Sequence, residues 1–144
     1  MQKKLFLATL TLFTLAGFTT SNEDSIIGVW ANASNKGHLQ LYKQNGKYYG
    51  KIVWLQKPND ETGKPKVDKH NPDDRRKKQP LLGLVMLKDF VYEKGEWTDG
   101  KIYNPHDGKE YDCNMKLKDE KTLAVRGYLG FSLLGKTEKF TRIR

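Results

Sequence analysis

The stretch KEYDCNMKLK, residues 109–118, alternates without a fault. Tyr111, Cys113, Met115 and Leu117 fall on one side, and Asp112, Asn114, Lys116 and Lys118 on the other. A period of two gives a strand one dry face and one wet face, and it excludes a helix over the same residues. The pattern begins much earlier, at Ile26. IIGVWANA (26–33) reads as a first strand, GHLQLYK (37–43) as a second and KYYGKIVWL (47–55) as a third. Asn45-Gly46 between the last two supplies the left-handed turn that a two-residue hairpin requires. LLGLVMLKDFVYEKGEW follows, with a turn at Lys94-Gly95. Next come GKIYNP, a turn at His106-Asp107-Gly108, and the alternating stretch itself. TLAVRGYLG and KTEKFTRIR, separated by FSLLG, close the chain. That makes about nine strands and no convincing helix. Short strands punctuated every eight to twelve residues, without strand–helix–strand alternation, predict an all-β fold: a small antiparallel up-and-down barrel of about 8–10 strands. Closure into a barrel also removes exposed sheet edges.

Residues 1–21 stand apart from this pattern. Lys3 and Lys4 precede the apolar run Leu5 to Leu15, and Thr19-Thr20-Ser21 provides a small-residue exit, the organisation of a secretory signal peptide. The apolar run is too short for a membrane span, and no later stretch is long and apolar enough to make one. The lone cysteine, Cys113, lies far from the position a lipid-anchored export signal needs. A periplasmic or secreted protein is expected, with residues 22–144 forming a single domain, a size typical of one core. A single thiol cannot form an internal disulfide, so the alternation that turns Cys113 inward predicts a buried side chain. The formal charge of +9 falls to +7 once Lys3 and Lys4 leave with the signal. In that compartment the excess favours an anionic envelope component over nucleic acid.

One long connection interrupts the strands. Between the third and fourth strands, residues 56–80 form a charged loop that ends in PLLGL (80–84), and it is expected to lie over one end of the barrel. It carries the basic run Arg75, Arg76, Lys77 and Lys78, a candidate for anion contact, although Asp73 and Asp74 directly precede the run and offset its field. Asp68, His70, Asn71, Asp73 and Asp74 bring hard donors together, but their spacing matches no metal-binding loop and the surrounding cations oppose one. Turn and capping roles suit Asp68 and Asn71-Pro72 better.

Gly28-Val29-Trp30 in the first strand resembles the glycine-x-tryptophan signature of lipocalin-like barrels, and Arg142 in the last strand stands where such folds set a basic residue against that tryptophan. The blocks GKIVWL (50–55), DKHNPD (68–73), PLLGL (80–84), GKIYNPHDGKEY (100–111) and LAVRGYLG (123–130) occur in this order across nearly all of residues 22–144. Together they are similar to the domain of unknown function 2147 family. The resemblance implies an exported bacterial protein with a lipocalin-like (calycin-like) barrel, and no particular activity. It assigns Gly28, Trp30 and Arg142 to barrel closure. The chain departs from the family pattern at Leu129 and Leu133, where many relatives carry cysteines.

Candidate site residues follow from the faces. In the third strand Tyr48, Ile52 and Trp54 share one side, and Tyr49, Lys51, Val53 and Leu55 the other. With Tyr103 and Tyr111, Tyr48 and Trp54 would form an aromatic wall for a small amphipathic or apolar molecule, or else simply fill the barrel. Arg126 falls on the outer face by alternation, and a bulge at Gly127 would turn it inward as a ligand anchor. His38, His70 and His106 pair with no nucleophile in any motif, and Asp73-Asp74 and Asp119-Glu120 are sequence neighbours that diverge. No catalysis and no cofactor are therefore expected. A monomeric binding barrel with the long loop as its lid is the leading expectation. The alternative is a filled-barrel interaction module that uses the basic loop.

Overall fold

The computed structural model describes residues 22–128 and 135–144. Residues 1–21 and most of the FSLLG connection, with Leu129 and Leu133, lie outside the described part. Eight strands follow a short 3-10 helix (Asn22–Ile26): β1 (Gly28–Ala31), β2 (Gly37–Gln44), β3 (Lys47–Leu55), β4 (Val85–Glu93), β5 (Glu96–Asn104), β6 (Lys109–Asp119), β7 (Thr122–Tyr128) and β8 (Lys136–Arg142). Each pairs antiparallel with its sequence neighbours, and β1 pairs with β8, so the sheet is a closed up-and-down barrel. The expected all-β barrel holds. The strand count settles at eight because Glu96-Trp97 and GKIYNP form one strand, β5, and the fourth strand is shorter than read, since residues 80–84 belong to the long connection, which runs over 56–84. Residues 26 and 27, read as the start of a strand, instead end the helix and lead into β1.

The turns match their residues. Asn45 and Gly46 adopt φ of 52° and 77°, the left-handed pair of a tight hairpin turn. Asp89 and Asp99 also take positive φ, 63° and 58°, and each sits at a register shift in its ladder. The inward side of the alternating stretch is as expected: Cys113 and Met115 are buried in the core with Leu39, Leu41, Ile52, Leu87, Phe90, Leu123, Val125 and Phe140.

The two ends of the barrel differ. At one end lie the 3-10 helix and the hairpin turns after β2, β4 and β6. Three aromatic side chains fasten the helix there by their polar tips. Trp30 Nε1 donates to Ile26 O (2.9 Å), Trp97 Nε1 to Glu23 O (3.1 Å), and the Tyr48 hydroxyl to Asp24 Oδ1 (2.6 Å). Their rings stay in the core while the polar atoms find acceptors, so none carries an unpaired group inward. Arg142 lies over the Trp30 ring at 4.2 Å and donates to Ser25 O, Ile27 O and Glu120 O. Gly28 leaves room for this arrangement: a Cβ there would come within 2.5 Å of Arg144 O and 2.9 Å of Arg142 Nη1. This end is sealed.

Candidate functional site

All long connections leave from the opposite end: residues 32–36, 56–84, 105–108 and the segment between β7 and β8. Strand pairing shows which side chains point inward there. Ile102 is opposite Tyr111, Gly100 opposite Cys113, and Cys113 opposite Gly127, and all share the face of the buried Cys113. Leu55 joins them through its pairing with Gly37, and Glu138 through its pairing with Val125. Unlike the residues deeper in the barrel, Leu55, Ile102, Tyr111, Gly127 and Glu138 are only half-buried. These half-buried, inward-facing residues form the rim of this end, above the buried Ile52, Cys113 and Val125, and are termed the cup.

The last residues of the long connection rejoin the barrel wall beside β3. Gly83 N donates to Ile52 O (2.7 Å) and Ile52 N to Leu84 O (2.9 Å), which carries the chain alongside β3. Leu81 and Leu84 pack against the core. At the rim the Tyr111 hydroxyl donates to Asp107 Oδ2 (2.5 Å), and this bond holds the Asp107 carboxyl below its usual range. Glu138 Oε1 lies 3.4 Å from Ala33 N, where β8 runs past the end of the shorter β1. The Cys113 thiol is pushed up to about 12 by burial, so it is a neutral wall group and not a nucleophile.

The middle of the long connection is pinned to the outside of the barrel. Asp68 is fully buried (0 % exposed), and both its carboxylate oxygens are satisfied: the Tyr103 hydroxyl donates to Oδ1 (2.8 Å) and Asn71 Nδ2 to Oδ2 (2.7 Å). Burial, and then the bond to Asp68, push the Tyr103 hydroxyl up to about 12. Gly108 completes the fit, since a Cβ there would meet His70 O at 1.9 Å. The DKHNPD and GKIYNPHDG blocks thus meet as one anchor. The expected turn is there, with Asn71 N donating to Asp68 O (3.0 Å) and Asp73 N to Asn71 Oδ1 (2.9 Å), but among the described residues the Asp68 side chain caps no backbone group and serves the tertiary contact instead. A recess of about 280 Å³ remains between this anchor and the wall, lined in part by Arg76, Gln79, Lys88 and Glu110.

The structure distributes the expected ligand residues differently from the aromatic wall read in the sequence. Tyr48 does point inward, but it is spent on the sealed end with Asp24. Tyr103 faces outward and holds the loop. Trp54 is on the outside, 41 % exposed and stacked on His38 with ring centroids 4.3 Å apart. A register shift between His38 and Leu39 pairs Leu39 with Ile52 but His38 with Trp54. This leaves Val53 as an extra residue and moves Trp54 off the face of Ile52. Arg126 is also outside. The β7 ladder runs without a shift through Gly127, so no bulge turns it inward, and its Nη1 donates to Thr137 Oγ1 (3.0 Å). Of the five expected ligand residues only Tyr111 reaches the cup. Leu55, Ile102 and Glu138 were missed. The period-two spacing of Glu138 from buried Phe140 was the available signal for the last.

The basic run is largely paired. Arg75 makes a two-point contact with Asp73, Arg76 Nε lies 3.7 Å from Asp73, and Lys77 Nζ is 2.6 Å from Asp74. The Arg75 guanidinium holds the Asp73 carboxyl below its usual range. These contacts are exposed, so they add little to stability, but they do offset the positive field.

A closed eight-stranded antiparallel up-and-down barrel with a tryptophan–arginine contact at one end and its long connections at the other defines a lipocalin-like protein. Within that class the chain belongs to the family described as "Uncharacterized protein conserved in bacteria (DUF2147)", whose model matches residues 28–142. It is also similar to a solved structure described as "Protein HP1028 from the human pathogen Helicobacter pylori belongs to the lipocalin family", with 26% sequence identity, a TM-score of 0.68 and 82% of each chain covered. Among curated proteins, none matches significantly.

Proposed function

We propose that this protein is an exported binding barrel that takes a small amphipathic or apolar molecule in the cup and performs no chemistry on it. The observation that carries the reading is the asymmetry of the barrel. One end is closed by the 3-10 helix and Arg142, while inward-facing Leu55, Ile102 and Tyr111 at the other remain half-exposed. Inward apolar groups at a barrel mouth are the usual wall of a small-ligand site. Tyr111 and Glu138 give the cup a polar edge, which suits a ligand with one polar end. Leu81 and Leu84 would act as the lid, since the anchor at Asp68 and Tyr103 fixes the loop behind them. The lipocalin likeness of the solved neighbour supports the same use. The rival reading, a filled barrel that contacts an anionic envelope component through Arg75 to Lys78, is weakened by the pairing of three of these four cations.

The test is binding of a fluorescent fatty acid, together with native mass spectrometry of protein purified from its host. Ile102→Trp fills the cup toward Gly127, whose position is already close to Ile102. It is expected to weaken probe binding by about tenfold or more in the folded variant. No probe binding and no co-purifying molecule would end the proposal.

A further inference from the structure

The outer face of the β2–β3 hairpin carries an aromatic strip that the cup does not use. Three cross-strand pairs lie in a row along it: His38 with Trp54, Gln40 with Lys51, and Tyr42 with Tyr49. The first and last are stacked rings. The His38 and Trp54 planes meet at 29° with centroids 4.3 Å apart, and those of Tyr42 and Tyr49 at 23° with centroids 5.7 Å apart. Between them Lys51 Nζ sits 5.5 Å from the Tyr42 ring centroid, and among the described residues no carboxylate lies within ion-pairing distance of it. The Tyr49 hydroxyl donates to Asp89 Oδ1 (3.0 Å) at the edge of the strip, and His38 Nε2 lies 3.4 Å from Asn35 Oδ1 at its end. Trp54 is 41 % exposed, so the strip reaches solvent at its His38–Trp54 end.

We infer that this strip binds an acidic polysaccharide, with sugar rings over the Trp54 and Tyr42–Tyr49 platforms and an acidic group on Lys51. The flat C–H face of a pyranose is complementary to the face of an aromatic ring, and its hydroxyls need the kind of polar groups that Gln40 and Lys51 place between the platforms. Four residues of strand separate His38 from Tyr42, roughly 14 Å, a span that suits a short run of linked pyranoses. A protein partner would need roughly 800 Å² of surface, more than three residue pairs offer. A membrane would be met by projecting apolar side chains, whereas these rings lie in stacked pairs. The unpaired Lys51 and the excess of basic residues select an acidic chain over a neutral one.

The experiment follows tryptophan fluorescence of the full chain during titration with polygalacturonate oligomers, with dextran oligomers as the neutral control. Trp30 and Trp97 are buried at 0% and 1% exposure, so a change reports Trp54. Saturable quenching by polygalacturonate is expected, with weaker or no response to dextran. By calorimetry, W54A and Y42A should each weaken polygalacturonate binding about tenfold and K51Q by a similar factor, all with unchanged melting temperatures because the three side chains lie outside the core. Absence of saturable binding, full affinity in W54A, or K51Q binding as tightly as the unaltered chain would overturn the assignment. So would W54A-sensitive binding to phosphatidylglycerol vesicles in place of the oligomers.

Discussion

The Tyr103 hydroxyl and Asn71 amide between them satisfy a carboxylate that has no exposure to water, and this is where the long connection is held to the barrel. Tyr103→Phe keeps the ring and removes the donor to Asp68 Oδ1. A buried acceptor left without its partner costs roughly 1–3 kcal/mol. The expected outcome is a lower urea midpoint and faster proteolytic cleavage within residues 56–84, since the same bond fixes both. Cleavage at the unaltered rate would show that Gly108 and Asn71 hold the loop without the tyrosine. The sequence places Asp68 and Asn71 in turn roles correctly, yet it leaves Tyr103 among the ligand residues. Alternation tells which side of β5 Tyr103 occupies only after a register is known, and the shift between Trp97 and Gly100 changes that side.

Among the elements, β1 is the weak closure. Its ladder with β8 is two pairs long, Trp30 opposite Arg142 and Ala31 opposite Thr141, and is extended by backbone bonds between Val29 and Ile143 and Arg144. Arg142 adds what the short ladder lacks, with one guanidinium fork bonded to the carbonyls of Ser25, Ile27 and Glu120 over the Trp30 ring. Arg142→Leu removes every donor at once and is expected to cost roughly 1–3 kcal/mol, with hydrogen exchange accelerated first at Val29 and Trp30. Arg142→Lys keeps the charge but not the planar fork, so it should recover only part of the loss. Gly28, Trp30 and Arg142 were assigned to closure by the family resemblance and not by the alternation. Their fastening of the 3-10 helix was not legible in the chain, because a five-residue helix has too few turns to show a period.

At the scale of the whole molecule, two tyrosines tie separate parts of the fold to carboxylates. Tyr48, at the sealed end, and Tyr103, on the loop anchor, are both pushed up to about 12, first by burial and then by the hydrogen bond to Asp24 or Asp68. Below the ordinary tyrosine value of 10.0 both are neutral in the folded and unfolded chains, so the contribution of these two groups is fully present. Above it the unfolded chain ionises first, and stability is lost as pH rises from 10.0 toward about 12. Denaturation midpoints measured across that interval should fall, and phenolate absorbance should show Tyr48 and Tyr103 among the late-titrating groups of the seven tyrosines, with Tyr49 and Tyr111 also raised by their bonds to Asp89 and Asp107. A Tyr48→Phe, Tyr103→Phe double variant should flatten this part of the profile. A profile as steep as that of the unaltered chain would assign the alkaline loss to other groups.

The chain by itself determined the all-β barrel, the inward turn of Cys113 and the Asn45-Gly46 hairpin. These depend on local alternation and turn chemistry, which are written over a few residues. Only the tertiary structure decided where the aromatics go. Trp54 leaves the face of Ile52 at one register shift, Tyr103 is covered by a loop from another part of the chain, and Arg126 stays outside because its ladder runs unbroken. A single extra residue in a ladder reverses the side of every position beyond it, and whether a ladder holds such a residue is settled by packing against the neighbouring strand.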